Sequence, residues 1–160
     1  MSGRGTPATL LLARQGVAHA VLTYELGPGA SSGGYGEAAA AALGIEPERM
    51  LKTLVVRVDG RLCCAVVPVA GELDLKACAA ALGGRRAVLA DAADAERVTG
   101  YVVGGISPLG QRTRLPTVVD ETAELFDAVV VSGGRRGLSV ELSPADLVRL
   151  TGAVVADVAR

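Results

Sequence analysis

Fourteen arginines and two lysines, Lys52 and Lys76, supply the cations of this 160-residue chain. Where arginine is the default, each lysine asks for a reason. Lys76 falls in a helical pattern and reads as a solvated face residue. Lys52 opens the apolar run Leu51-Lys52-Thr53-Leu54-Val55-Val56. A compact ammonium beside a core can orient a carbonyl or phosphate oxygen, or shift its pKa on burial. The plainer reading is an edge-strand lysine that keeps its charge in water.

Two glycine-rich stretches offer backbone chemistry. In Gly104-Gly105-Ile106-Ser107-Pro108-Leu109-Gly110, paired glycines let N–H groups approach a ligand closely, and successive N–H groups form an anion-binding concavity. Such donors can stabilise an oxyanion during acyl transfer. The second stretch is Ser132-Gly133-Gly134-Arg135-Arg136-Gly137. It reads as a hairpin connection or as the second wall of the same pocket. Arg135-Arg136 could reach phosphates, and a solvated turn is the simpler expectation.

Other chemistries are poorly supplied. His19 is the single histidine, set between Ala18 and Ala20, and reads as a structural or surface residue. There is no CxxC, HExxH, GxSxG or P-loop pattern, so the sequence predicts no zinc site, no serine hydrolase elbow and no nucleotide phosphate cradle. Cys63, Cys64 and Cys78 make no disulfide framework and read as buried reduced thiols.

A net charge of −1 argues against a stand-alone nucleic-acid binder with a broadly basic surface. Half of the residues are hydrophobic, yet the only aromatics are Tyr24, Tyr35, Tyr101 and Phe126, so the core must be Ala, Val and Leu. No apolar run approaches the ~20 residues of a membrane span. The start has no signal-peptide cleavage pattern. A cytoplasmic protein of one domain, residues 1–160, is expected.

These segments need elements to hold them. Thr6-Pro7 reads as a helix start, with Ala8, Leu11 and Leu12 on one face. Ala20 to Leu26 reads as a strand, 27–36 as a Gly/Ser loop containing Tyr35, and Glu37 to Leu43 as a helix. Asp59-Gly60 predicts a hairpin between strands Leu51–Val58 and Arg61–Pro68. Helices are expected at Leu73–Leu82, Asp91–Thr99 and Glu121–Phe126, and another from a capping box at Ser143–Asp146 to Leu150. Further strands are expected at Ala87–Leu89, Thr117–Asp120, Val129–Val131, Leu138–Leu142 and Ala153–Val158. Hairpins mixed with helical crossovers predict an α/β fold on a mixed, partly closed, barrel-like sheet.

Taken in order, LKTLVV at 51–56, TGYVVGGISPLGQ at 99–111 and VSGGRRGLSVELSPADL at 131–147 resemble the YbaK family. These are bacterial Cys-tRNA(Pro) deacylases, free-standing relatives of the editing domain of prolyl-tRNA synthetases. The resemblance runs from Thr6 to about Asp157. It implies a compact α/β editing domain that clears cysteine from mischarged tRNA without metal or cofactor. It also implies that Lys52 is the essential lysine, with Gly104 and Gly105 donating amides to the developing oxyanion. Tyr24, Tyr35, Thr53, Ile106, Ser107, Pro108, Ser132, Gly133 and Gly134 complete the implied substrate-binding set. Relatives often carry an acid one step after the position of Glu37. That step turns a helical side chain by about 100°, so no role is carried onto Glu37.

The implied partners are the acceptor end of an aminoacyl-tRNA and, transiently, prolyl-tRNA synthetase, with no membrane and no DNA. In the implied mechanism the thiol of the bound cysteine attacks its own carbonyl, so no protein nucleophile is needed. Two alternatives remain at this point: a relative acting on Ala- or Ser-charged tRNA, and a non-catalytic tRNA- or synthetase-binding module.

Overall fold

The computed structural model describes residues 5–25 and 34–160. Residues 26–33, which hold most of the Gly/Ser segment and the last expected residue of the first strand, lie outside the described residues. Helix α1 (Pro7–Arg14) opens on a reciprocal cap, in which the Thr6 side chain accepts from Thr9 N and the Thr9 side chain accepts from Thr6 N. Strand β1 (Ala20–Thr23) follows, then α2 (Tyr35–Leu43), which starts two residues ahead of expectation and takes Tyr35 into its first turn.

Strands β2 (Leu51–Val58) and β3 (Arg61–Pro68) form the expected hairpin. Asp59 and Gly60 turn at φ 50° and 84°, the doubly positive backbone of a tight two-residue connection. The order then runs α3 (Leu75–Ala81), β4 (Ala87–Leu89), α4 (Ala92–Thr99), β5 (Thr117–Asp120), a 3-10 turn (Glu121–Leu125), β6 (Val129–Arg135), β7 (Leu138–Leu142), α5 (Pro144–Thr151) and β8 (Val154–Ala156).

Several boundaries depart from expectation for local reasons. Asp74 caps α3 by accepting from Ala77 N at 3.0 Å, which leaves Leu73 outside to bridge Ala159. The closing strand stops at Ala156 because Val158 N and Ala159 N both donate to the buried Asp120 Oδ1, at 2.9 and 3.0 Å. Ser143 caps α5, but Asp146 turns its carboxylate to Arg149 instead of completing a box. The connection expected over 132–137 is mostly strand: β6 continues through an irregularity between Ser132 and Arg135, and only Arg136-Gly137 turn.

The strands make two sheets, β1-β7-β6 and β4-β2-β3-β5-β8. The first is antiparallel; the second is mixed, with β3, β5 and β8 parallel. Between the sheets lies an aliphatic core that includes Leu12, Val55, Val66, Val119, Val131, Val140 and Leu147. The opposite face of the five-stranded sheet packs Val56, Ala65, Val67 and Val118 against Cys78 and Ala79 of α3. The mixed α/β architecture agrees with the sequence reading. Closure toward a barrel is limited, among the described residues, to one parallel bridge from Met50 to Val130.

Candidate active site

That bridge marks one end of a cleft. Val130 N donates to Arg49 O at 3.0 Å, and the Arg49 guanidinium pairs with Glu141 of β7 at 2.7 Å, pinning the start of β2 to the other sheet. Strand β3 covers one edge of β2 throughout. On the other edge β4 pairs only from Val56 onward, with Ala90 N reaching Val55 O. The edge of β2 from Leu51 to Leu54 is therefore open, and a cavity of about 440 Å³ runs along it.

Alternation along β2 sends Lys52 and Leu54 to one face and Leu51, Thr53 and Val55 to the other. Both sets line the cavity, because the cavity wraps the open edge. Lys52 is half-buried rather than solvated, and among the described residues no carboxylate is ion-paired to it. The expectation of an edge lysine thus holds only locally: β2 is an interior strand whose edge is uncovered where Lys52 sits.

Tyr24, Tyr35, Thr53, Gly104, Ile106 and Ser132 join Lys52 in the lining. Tyr24 follows β1, and its N–H donates to Gly137 O at 3.0 Å. Gly104 has φ +91°, and a methyl there would lie 2.7 Å from the Tyr35 ring and 2.8 Å from Arg136 Nε. Only glycine fits under that ring. Arg136 is not a free turn cation. Its Nε and Nη2 donate to Val103 O at 2.9 and 2.7 Å, folding it back onto the cleft rim.

The remaining expected residues stand behind the wall rather than in it. The Gly105 N–H donates to Val102 O at 2.8 Å, so the amide expected to serve an oxyanion is already engaged. Gly105 instead packs its Cα face on the Arg135 backbone, 2.7 Å from where a Cβ would stand. Ser107 is fully buried, and its Oγ accepts from Leu109 N at 3.2 Å; Pro108 is buried beside it. Gly133 O accepts from the Thr6 hydroxyl, and Gly134 lies against Thr6 and the Tyr101 ring. These residues set the position of the two walls.

The sequence reading missed part of the lining. Ser139 sits directly across the β6–β7 ladder from Ser132, so both hydroxyl residues face the cleft. Hairpin register could have paired them. Ala92 and Ala95 of α4, with Leu89, Ala90 and Val103, make an apolar wall that carries no chemical signature. Glu37 also lines the cleft, at its exposed side.

Among the described residues, no histidine or cysteine lines this cavity. His19 is exposed, with Nδ1 2.7 Å from Val17 O. All three cysteines are buried in the two cores. Desolvation pushes the Cys64 thiol up to about 12 and the Cys78 thiol up to about 11, and it raises that of Cys63. None is a ready thiolate near neutral pH. The chain offers a small, mostly apolar cleft with one ammonium, several hydroxyls and a glycine-lined rim, suited to orienting a short polar group beside an activated carbonyl.

Comparison with known proteins agrees with this geometry. A Cys-tRNA(Pro)/Cys-tRNA(Cys) deacylase by name, EbsC of Enterococcus faecalis, is 40% identical over 124 residues, 76% of this chain and 75% of that one. The protein named multifunctional Ser/Thr-tRNA deacylase ProXp-y of Escherichia coli K12 is 31% identical over 145 residues, 88% of this chain and 83% of that one. Among solved structures, hypothetical protein APE2540 superposes with a TM-score of 0.84 at 31% identity, over 97% of this chain and all of that one. A structure described as a trans-editing enzyme for prolyl tRNA synthetase gives 0.82 at 28% identity, over 96% of this chain and 95% of that one. Residues 34–150, which carry Lys52, both glycine-rich segments and the whole cleft except Tyr24, match the aminoacyl-tRNA editing domain, and the chain belongs to that family.

Proposed function

We propose that this chain is a trans-acting deacylase that removes cysteine from Cys-tRNA(Pro), and also from Cys-tRNA(Cys). The observation that carries the reading is the convergence of Lys52, Gly104 and Ser132 on one cleft whose lining contains neither histidine nor cysteine. Such a site orients a substrate and stabilises developing charge but brings no strong nucleophile of its own. An aminoacyl ester is already activated, and a bound cysteine carries a thiol. The thiol sulfur bonds to the carbonyl carbon, the carbon–oxygen bond to the ribose breaks, and the thiol proton ends on the ribose oxygen. A thiolactone and free tRNA leave.

In this mechanism Lys52 donates to the ester carbonyl or the terminal nucleotide, and Gly104 lets the ester approach the rim. Tyr24, Tyr35, Thr53, Ile106 and Ser132 bind the aminoacyl end. Gly105, Ser107, Pro108, Gly133 and Gly134 hold the walls that these residues stand on. Residues 1–160 act as one editing unit, in the cytoplasm, on the acceptor end of tRNA and beside prolyl-tRNA synthetase.

The Escherichia coli relative, a Ser/Thr-tRNA deacylase by name, supports a second reading, in which the substrate is Ser-charged tRNA and water replaces the thiol. Initial rates of amino-acid release from Cys-, Ser- and Ala-tRNA(Pro) decide between them. Fastest release from Cys-tRNA(Pro), with many turnovers per protein, is expected. Faster release of serine or alanine overturns the cysteine assignment, and stoichiometric binding without turnover overturns the enzyme assignment.

A further inference from the structure

Glu96 is half-buried and, among the described residues, is in no ion pair. It stands in the last turn of α4, where the negative end of the helix dipole disfavours an acid. The adjacent Arg97 pairs with Asp94 instead. A carboxylate in such a place asks for a task. Its Oε2 accepts the Val103 N–H at 2.8 Å, seven positions along the chain and beyond the helix end.

The helix sets that carboxylate beside the cleft. Ala92, Ala95 and Glu96 stand at i, i+3 and i+4 and so share one face of α4, and both alanines line the cavity. Val103 and Gly104 line it too. The other polar group of Val103, its C=O, accepts from Arg136 Nε and Nη2 at 2.9 and 2.7 Å. Arg136 is likewise in no ion pair among the described residues. Two opposite charges, one from α4 and one from the β6–β7 turn, thus meet on one residue instead of on each other. The Val103–Gly104 peptide is trans, so its N–H points opposite to the C=O that Arg136 holds. That Gly104 N–H has no protein partner among the described residues. Clamping Val103 therefore sets both the place of Gly104 and the direction of its amide.

We infer that Glu96 is a positioning residue of this site: acting through Val103, and against Arg136, it holds Gly104 in place on the cleft wall. The inference rests on the deacylase reading above and names a group that acts through the backbone rather than on the substrate.

The test measures kcat/KM on Cys-tRNA(Pro) together with amide hydrogen exchange in the same variants. Glu96→Ala lowers kcat/KM about tenfold, the effect of one hydrogen bond to a charged group. Glu96→Gln keeps an acceptor and loses only about threefold, because a neutral acceptor bonds roughly half as strongly. The Val103 amide exchanges faster in Glu96→Ala, while the Ala95 and Gly100 amides, bonded to Asp91 O and Glu96 O, keep their wild-type rates. In the double variant Glu96→Ala, Arg136→Lys the loss stays below the product of the two single losses, because both groups hold one residue. An unchanged kcat/KM in Glu96→Ala overturns the inference and leaves the deacylase reading intact. Faster exchange throughout α4 does the same, since Glu96 then serves only the helix, and so does a double loss equal to the product. A wild-type protein that releases no cysteine overturns the deacylase reading, and this inference with it.

Discussion

The Arg136 guanidinium lies over the Tyr35 ring, its central carbon 4.6 Å from the ring centre, while Nε and Nη2 both hold Val103 O. One side chain from the β6–β7 turn thereby ties the first turn of α2 to the loop that carries Gly104. Each contact alone is modest; a cation–ring contact at the surface contributes about 0.5–1 kcal/mol. Together they fix the cleft rim.

Arg136→Lys keeps the charge but loses the planar fork that reaches one carbonyl twice. We expect KM for Cys-tRNA to rise severalfold, with Tm lowered only slightly because Arg136 is exposed. Steady-state kinetics with a melting curve checks this. A wild-type KM in the variant means that the rim is fixed by something else.

Lys52→Ala should abolish deacylation and leave the fold intact. The lysine sits on an uncovered strand edge, with its register partner Val67 held by the hairpin. Lys52→Arg should recover little, since a guanidinium is wider and less strongly hydrated than an ammonium. Single-turnover rates with circular dichroism on the same samples decide it. Near-normal rates in folded Lys52→Ala would falsify the assignment.

The two central glycines should separate. A methyl at Gly105 meets Arg135 Cα, Arg135 C and Arg136 N at 2.7, 2.8 and 2.9 Å, all backbone, so it cannot be accommodated by a side-chain swing. Overpacking of that kind costs about 1–3 kcal/mol, and Gly105→Ala should lose stability first. A methyl at Gly104 meets the Tyr35 ring and the Arg136 head, which can move, at the expense of the rim and of a φ of +91°. Gly104→Ala should therefore lose kcat/KM out of proportion to stability. Urea melts and kinetics on both variants test the contrast; equal losses in both would sink it.

What was legible in the sequence was local. The hairpin bounds Leu51–Val58 and Arg61–Pro68 are as expected because Asp59-Gly60 and the flanking apolar runs carry their own turn and strand chemistry. The caps at Thr6 and Ser143 were readable for the same reason. What failed was long-range. The irregularity in β6 brings Gly134 against Thr6 and Tyr101, over a hundred positions from one of them, and no pattern near Gly134 announces that contact. The Gly105 amide looked free because its partner, Val102 O, depends on the fold of the loop. The alanines of α4 form a wall simply by being small.

The cysteines give a pH prediction. Burial raises Cys64 to about 12 and Cys78 to about 11 from an ordinary value of 9.0. Above pH 9 the unfolded chain loses thiol protons that the folded chain retains, so unfolding becomes easier as pH rises. Stability is undiminished by these thiols below pH 9 and should fall steadily between pH 9 and 11. Cys64→Ala and Cys78→Ala should flatten that fall, lower stability at neutral pH by about 1 kcal/mol each, and retain deacylation. Melting curves across pH settle the slope. Loss of turnover in a folded alanine variant would instead make that sulfur part of the chemistry.

The last prediction concerns partner choice and starts from charge. The chain has 16 basic and 17 acidic side chains, and four of its arginines, 49, 57, 97 and 149, are held in ion pairs. Arg136 is held on Val103. The exposed cations left for phosphates include Arg85, Arg86, Arg112, Arg114 and Arg135. So few contacts give weak binding, with a log–log salt dependence no steeper than about −4.5. They also give little power to tell one tRNA body from another, because side chains cannot read the deep, narrow major groove of an A-form helix. An editing enzyme must nevertheless spare correctly charged tRNA, so discrimination has to come from a partner that already reads the tRNA. We expect the isolated protein to deacylate Cys-tRNA(Pro) and Cys-tRNA(Cys) at similar rates. Added prolyl-tRNA synthetase should sharpen the preference for tRNA(Pro). Initial rates on both substrates at physiological salt, with and without the synthetase, make the comparison. Strong discrimination by the protein alone would mean that its own surface reads the tRNA, and the search would then turn to the exposed arginines around the cleft.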